Sequence, residues 1–393
     1  VAAPERLTVG EAAVQLGVKT ATVYAYVSRG LLRSHRGAGN GPSHFDAGDV
    51  AALVRRRGRR RSAASEAGGD VSAIDAERLL YRGLDACQLA RDRSFEQVAW
   101  LLWTGEEGGA AAWQADPTLL GLAQAIQAQL PAAVPPVERL AAIIPALAAA
   151  DPLRLDLTPR AVRLAARSLL ATLVDSLPLA QPDCPAGSIA QRLWRRLTPA
   201  PEGSLTRVLD AALIALADHG SLPPATATAR LAASLRSDPY AVVSAAMGVG
   251  SGAQQTRPFL TLQTLFAAIE HPDDHLRVLA ERLRLGDDLP GFHPRQYAGS
   301  DPRAELLLDL LREAEPASAR LTGMLNLVAL LQERRGVGPS VEVPVAALAA
   351  LAGMCSGAGE GIFRVARIAG WLAHALDAYA APPKVDVPSF LAG

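Results

Sequence analysis

The stretch Ala366-Arg367-Ile368-Ala369-Gly370-Trp371-Leu372-Ala373-His374 lies inside a helical period running from about residue 360 to 380. Trp371 and His374 share that helix with Leu372 and Leu376 and read as core packing. Fourteen further helical periods, punctuated by Pro and Gly, extend back to about residue 85, among them 94–104, 204–219, 258–270, 302–314, 317–333 and 344–353. Ala and Leu carry the apolar content and are good helix formers, whereas runs rich in Val, Ile, Tyr and Phe are scarce. No internal repeat of about 20–50 residues recurs, which disfavours a solenoid. The reading is an all-α body, one large globular domain with a smaller one embedded in it.

The chain has 393 residues, room for two or three domains at roughly 150 residues each. Its 39 Lys+Arg balance 39 Asp+Glu, and with 50% hydrophobic residues it is not a disordered acidic or basic protein. Cys87, Cys184 and Cys355 are odd in number and far apart, without CxxC or metal spacing, so a reducing, cytoplasmic compartment and no structural metal are expected. Val1 to Val9 holds charges and no apolar run of the signal-peptide kind. Residues 343–359 are uncharged, but Pro344, Gly353 and Ser356 break them, so they read as a buried core helix and not a membrane span.

The balance of charge hides an asymmetry. Residues 1–61 carry eleven Lys/Arg, including Arg55, Arg56, Arg57, Arg59, Arg60 and Arg61, against Glu5, Glu11, Asp46 and Asp49; that segment is +7 and the remainder −7. Thr8-Val-Gly-Glu11 is a capping box opening a first helix. Gly17 permits a turn, a second helix runs from about Thr20 to Ser28 with Val23 and Val27 inward, and a hairpin is expected over Gly37–Gly41. A third helix is expected from Phe45-Asp46 through Val54. Ser62 to Gly69, small and polar, reads as a linker. This order resembles the MerR/excisionase winged helix-turn-helix. By that resemblance Thr20, Thr22, Tyr24 and Arg29 face DNA, with Arg33, Arg36 and the Arg55–Arg61 run near phosphates.

From about Asp70 to Tyr379 several segments resemble the citrate synthase family. They are Ile74-Asp75 with Leu79-Leu80-Tyr81-Arg82-Gly83-Leu84-Asp85, Ser94-Phe95-Glu96-Gln97-Val98-Ala99, Ala217-Asp218-His219, Gly291-Phe292-His293 with Asp301-Pro302-Arg303-Ala304, and the Ala366–His374 stretch. The resemblance implies large and small helical domains, the large from 70–254 and 343–393 and the small from 255–342, in a homodimer that closes over its substrates. It implies a Claisen-type condensation of acyl-CoA, acetyl-CoA in the first place, with oxaloacetate or a related 2-oxo acid. The coenzyme A thioester is then a substrate and no cofactor is bound. Such a site needs a carboxylate to take a C–H proton, a donor to stabilise the enol, an acid to polarise the ketone, and arginines to hold a dicarboxylate.

Carried over residue by residue, the resemblance assigns the ketone-polarising acid to His293, a substrate-binding histidine to His219, and carboxylate-binding arginines to Arg303 and Arg367. Two catalytic positions differ. Gln255 stands where the family has its enol-stabilising histidine, and Glu342 where it has its proton-abstracting aspartate. Gln255 still donates a hydrogen bond but carries no charge, and the extra methylene of Glu342 moves its carboxylate by about 1 Å, on the order of 100-fold in rate. The alternative expectation is a transcriptional regulator in which catalysis has lapsed and the dicarboxylate pocket serves as a metabolite sensor joined to a DNA-binding module.

Overall fold

The computed structural model describes residues 6–16, 20, 23, 27, 32, 34–36, 43–46, 50, 71–75, 77–109, 112–182, 187–220, 223–286, 289–292, 296–297 and 299–382. The chain divides into two compact units, Val1–Gly69 and Asp70–Gly393.

In the first unit β1 (Arg6–Thr8) leads directly into α1 (Val9–Leu16), and β2 (His35–Arg36) and β3 (Ser43–Asp46) complete an antiparallel sheet of order β1-β3-β2. The expected capping box is present: the Glu11 carboxylate accepts the Thr8 backbone N–H at 2.8 Å, and the Glu11 N–H donates to Thr8 Oγ1 at 3.3 Å. The Thr8 N–H and the Thr8 hydroxyl, both donating to the Glu11 carboxylate, hold that carboxyl below its ordinary range. Phe45 and Asp46 do not open a helix; they close β3, where Phe45 pairs with Leu7 of β1. Phe45 is pulled into that role because its strand position faces a small core of Leu7, Ala12, Ala13, Val23, Leu32 and Val50. Thr20, Val23 and Val27 are helical, and Thr20 is exposed. Arg36 lies in β2. Thr22, Tyr24, Arg29, Arg33, the Arg55–Arg61 run and the 62–69 segment fall outside the described residues.

The second unit opens with an antiparallel meander, β4 (Ser72–Asp75), β5 (Arg78–Tyr81) and β6 (Leu84–Asp85), in which Ser72 pairs with Tyr81. The Asp85 carboxylate then caps α2 (Ala86–Asp92), and a Ser94–Gln97 capping box starts α3 (Phe95–Thr104). The helices α4 (Pro117–Gln127), α5 (Pro136–Ala150), α6 (Pro159–Asp175), α7 (Ile189–Leu197) and α8 (Ser204–Leu216) follow. After α8 come α9 (Pro224–Ser234), α10 (Pro239–Val249), α11 (Ala253–Ala267) and α12 (Asp274–Arg284). The last four are α13 (Pro302–Ala314), α14 (Ala319–Arg335), α15 (Glu342–Leu351) and α16 (Ala358–Ala380). Helices α4, α5, α6, α9, α10 and α13 each begin on proline, whose fixed φ suits the first turn and whose missing N–H has no intrahelical partner there anyway.

Helix α11 starts at Ala253, earlier than the expected 258, and carries Pro258 inside it. Helix α15 starts at Glu342 because Pro344 falls in its first turn, where it is tolerated. The helix read first from the sequence, α16, is the centre of the unit: it packs on α3, α5, α6, α8, α9, α10, α11 and α15. It is buried almost continuously from Ala358 to Leu376. Among the described residues no helix is long and apolar enough to cross a membrane, and no cluster of three or more His, Cys, Asp or Glu side chains forms a metal site.

Candidate active site

Helix α8 packs on both α13 and α16, and that arrangement brings three of the expected residues into one electrostatic neighbourhood. His219 follows the end of α8, Arg303 is in the first turn of α13, and Arg367 is in the middle of α16. His219 Nε2 lies 3.0 Å from the Tyr297 hydroxyl, whose ring is tilted against the imidazole. Burial lowers the His219 pKa far below its ordinary value, and the Arg303 and Arg367 charges lower it further, so this imidazole is neutral at physiological pH. A neutral imidazole offers one hydrogen bond without adding a third positive charge.

Each arginine is held by one aspartate and keeps a donor in reserve. Arg303 is 3% exposed; its Nε donates to Asp301 Oδ1 at 2.9 Å and its Nη2 to Asp301 Oδ2 at 2.6 Å. Asp301 also caps α13 through the Arg303 N–H, so the same carboxylate starts the helix and orients the side chain. Burial works against the Arg303 charge, but Asp301 outweighs it and raises its pKa above the ordinary value. Arg367 is 6% exposed and only loosely paired, with Nη1 3.8 Å from Asp218 Oδ1 and the guanidinium over the Phe363 ring. Burial pushes its pKa down to about 10. The Nη1 atoms of both arginines are buried and have no hydrogen-bond partner among the described residues. Two buried guanidinium groups with unspent N–H donors beside a neutral histidine have the chemistry to accept carboxylate oxygens as partners.

The backbone just ahead of Glu342 is joined to the loop ahead of Arg303. The Ser340 N–H donates to Gly291 O at 2.8 Å, the Gly338 N–H to Gly299 O at 3.2 Å, and the Asp301 N–H to Pro339 O at 3.5 Å. The loop that ends in Arg303 is therefore stitched to the loop that ends in Glu342. Gly291 is required at its position: its φ is +91°, and a Cβ there would stand 2.7 Å from Val343 Cγ2. Glu342 is the first residue of α15, and its Oε2 is buried with no hydrogen-bond partner among the described residues. Gln255 lies in the first turn of α11, which packs on α15; its side chain is outside the described residues, as is all of His293.

Asp218 was legible only as part of a motif, and the structure gives it a larger place. Its fully buried carboxylate accepts from Ser72 Oγ at 2.5 Å and lies 3.0 Å from His374 Nε2. Burial alone would raise its pKa, but the His374 ring, Arg367 and Ser72 outweigh that and hold it below the ordinary carboxylate range. His374, expected as core packing, is buried but hydrogen-bonded. No local spacing announces this network, because its members come from β4, the end of α8 and the middle of α16.

The family described as "Citrate synthase, C-terminal domain" matches residues 65–384. Among curated proteins, a citrate synthase of Haloferax volcanii is 28% identical over 78% of this chain and 87% of its own length. A 2-methylcitrate synthase of Mycobacterium tuberculosis is 26% identical over 76% of this chain and 80% of its own. Among solved structures, the citrate synthase of Pyrobaculum aerophilum superposes with a TM-score of 0.67 at 20% identity, covering 82% of this chain and 88% of its own. That of Thermoplasma acidophilum, solved with carboxymethyl coenzyme A and oxaloacetate, gives 0.65 at 18% identity, covering 81% and 91%. The match of the family model to residues 65–384 spans most of the chain, and the chain belongs to the citrate synthase family.

Proposed function

We propose that the chain condenses an acyl-CoA, with acetyl-CoA and propionyl-CoA the first candidates, with oxaloacetate or a related 2-oxo acid. The observation that carries this reading is the pair of buried arginines, Arg303 and Arg367, whose unspent Nη1 donors flank neutral His219. In this reading the two guanidinium groups take the two carboxylates of the acceptor, and His219 donates a further hydrogen bond. Glu342 takes a proton from the carbon next to the thioester carbonyl, and the Gln255 amide donates to the resulting enol oxygen. That carbon bonds to the ketone carbon while His293 gives a proton to the ketone oxygen. Water then cleaves the thioester, releasing coenzyme A as the free thiol and leaving a tricarboxylic acid. Closure of residues 255–342 over the remainder of the unit, within a homodimer, excludes water from the first step.

The test is free-thiol release with acetyl-CoA or propionyl-CoA. Release that depends on oxaloacetate is expected, and no release above background overturns the reading.

The +7 charge of residues 1–61 favours a second activity of the same chain, contact with DNA. Thr20, Thr22, Tyr24 and Arg29 would face base edges and Arg33 and Arg36 phosphates, with occupancy of the dicarboxylate pocket as the regulatory signal. Fluorescence anisotropy with genomic fragments at low salt, with and without oxaloacetate, tests it; no binding in either condition overturns it.

A further inference from the structure

Ser72, Asp218, His374 and Arg230 form a polar chain that ends on Arg367, and the proposed reaction uses none of them except Arg367. We propose that Asp218 and His374 are positioning residues: they hold Arg367 in place by charge while keeping its Nη1 donor free for a carboxylate of the substrate. The inference rests on the functional reading above, in which Arg367 binds that carboxylate.

The two oxygens of Asp218 are unequal. Oδ2 is saturated, by Ser72 Oγ at 2.5 Å, His374 Nε2 at 3.0 Å and the Gly220 N–H at 3.3 Å. Oδ1 has no hydrogen-bond partner among the described residues and lies 3.8 Å from Arg367 Nη1, within ion-pair reach but too far for a hydrogen bond. A carboxylate anchored on one oxygen by three donors cannot rotate to chelate the guanidinium. Arg367 therefore keeps a counter-charge beside it without having its Nη1 donor consumed. Asp301 reaches the same end by another route on Arg303, taking Nε and Nη2 and leaving Nη1.

His374 is oriented from its other side. Arg230 Nη1 lies 3.2 Å from His374 Nδ1, and a guanidinium only donates, so Nδ1 accepts and the ring proton sits on Nε2, facing Asp218. Without that proton Oδ2 loses one of its anchors. Asp218 then swings toward Arg367 and competes, within the molecule, for the donor the substrate needs.

The experiment is calorimetric titration of full-length wild type, His374→Leu, His374→Gln and Arg230→Met with oxaloacetate, with melting recorded for each and thiol-release kinetics run in parallel. His374→Leu is expected to weaken oxaloacetate binding by about 10- to 100-fold, the range of one lost hydrogen bond to a charged group, raising KM with kcat unchanged. His374→Gln, whose amide nitrogen reaches the Nε2 position, restores affinity to within about threefold. Arg230→Met leaves no core cavity, because Arg230 is exposed, and weakens binding by about threefold or more by releasing the tautomer. Affinity unchanged in His374→Leu and Arg230→Met while wild type binds overturns the inference and leaves the functional reading standing. A His374→Gln variant as weak as His374→Leu also overturns it, since that marks a packing role. Wild type that binds no 2-oxo dicarboxylate overturns the functional reading, and this inference falls with it.

Discussion

Replacing Gly370 by alanine tests the packing that places Asp218. Gly370 lies in the middle of α16, where the Ala217-Asp218 backbone crosses the helix. A Cβ at 370 would meet Ala217 O, and would stand 2.7 Å from Asp218 Oδ1 and 2.9 Å from Asp218 Cβ. Ordinary contacts between carbon atoms are about 3.5–4.0 Å, so the two segments must part by roughly 0.6–1 Å. Two opposing effects decide the outcome. Alanine gains about 1 kcal/mol over glycine in a helix interior, and overpacking costs about 1–3 kcal/mol. The obstruction here is a backbone carbonyl together with the base and the anchored carboxylate of buried Asp218, none of which rotates away freely, so the cost belongs at the upper end, and a net loss of about 2 kcal/mol is expected. The site suffers more than the fold, because a displacement near 1 Å at a positioned group is on the order of 100-fold. Gly121, on α4 with nothing within 4 Å of its Cβ position, supplies the control. Gly121→Ala should be neutral or stabilising by about 1 kcal/mol with oxaloacetate affinity unchanged. Urea unfolding and calorimetry on the two variants decide the matter: Gly370→Ala as stable as wild type and binding oxaloacetate within about twofold would refute the close approach on which Asp218 depends.

Glu342→Gln should leave oxaloacetate binding intact while lowering thiol release by about 100-fold or more, the range of a lost general base; an active Glu342→Gln variant removes Glu342 from the chemistry. Arg303→Met should cost about 3–5 kcal/mol by stranding the buried Asp301 charge, and adding Asp301→Asn should recover part of it in urea midpoints; a double variant weaker than the single one contradicts that account. His219 and Asp210 give pH dependence of opposite sign. The folded chain refuses a proton that unfolded His219 takes up below about pH 6.5, so its stabilising contribution is complete above that pH and falls by about 1.4 kcal/mol per unit below it. Asp210, raised to about 6 mainly by burial, binds a proton in the folded chain that the unfolded chain lacks, so between about pH 4 and 6 acidification stabilises through it. His219→Gln should remove the first effect and keep the second; urea midpoints that run parallel to wild type below pH 6.5 would contradict the neutral, half-buried histidine.

The helical periods were legible from residue 85 onward because helix capping and apolar spacing are local. Six helices start on proline, and Ser94, Asp116, Thr158, Asp238 and Ser318 each supply a side-chain cap. The departures have local causes too. The apolar period of α11 begins only at Pro258, yet Ala253 to Thr256 continue the helix ahead of it, with Gly252 at its N-cap. Phe45 was assigned to a helix because its strand partner, Leu7, is 38 residues away and no period of two is visible in a four-residue strand.

The site divides along the same line. Arg303 was legible by resemblance, and its aspartate, two residues away on the same helix start, leaves a local trace of the pair in the sequence. Arg367 was legible only by resemblance, with no such trace, since its counter-charge, Asp218, comes from the distant segment that follows α8. His374 was read as packing for the same reason. A buried histidine among Leu372 and Leu376 looks apolar in one dimension, and its partners, Asp218 and Arg230, are 156 and 144 residues away. Pairs closed within one helical turn therefore leave a trace in the text, whereas the chain from Arg230 to Arg367 exists only where α9 and the segment after α8 meet α16, and the glycine at 370 is what lets that segment approach α16 so closely.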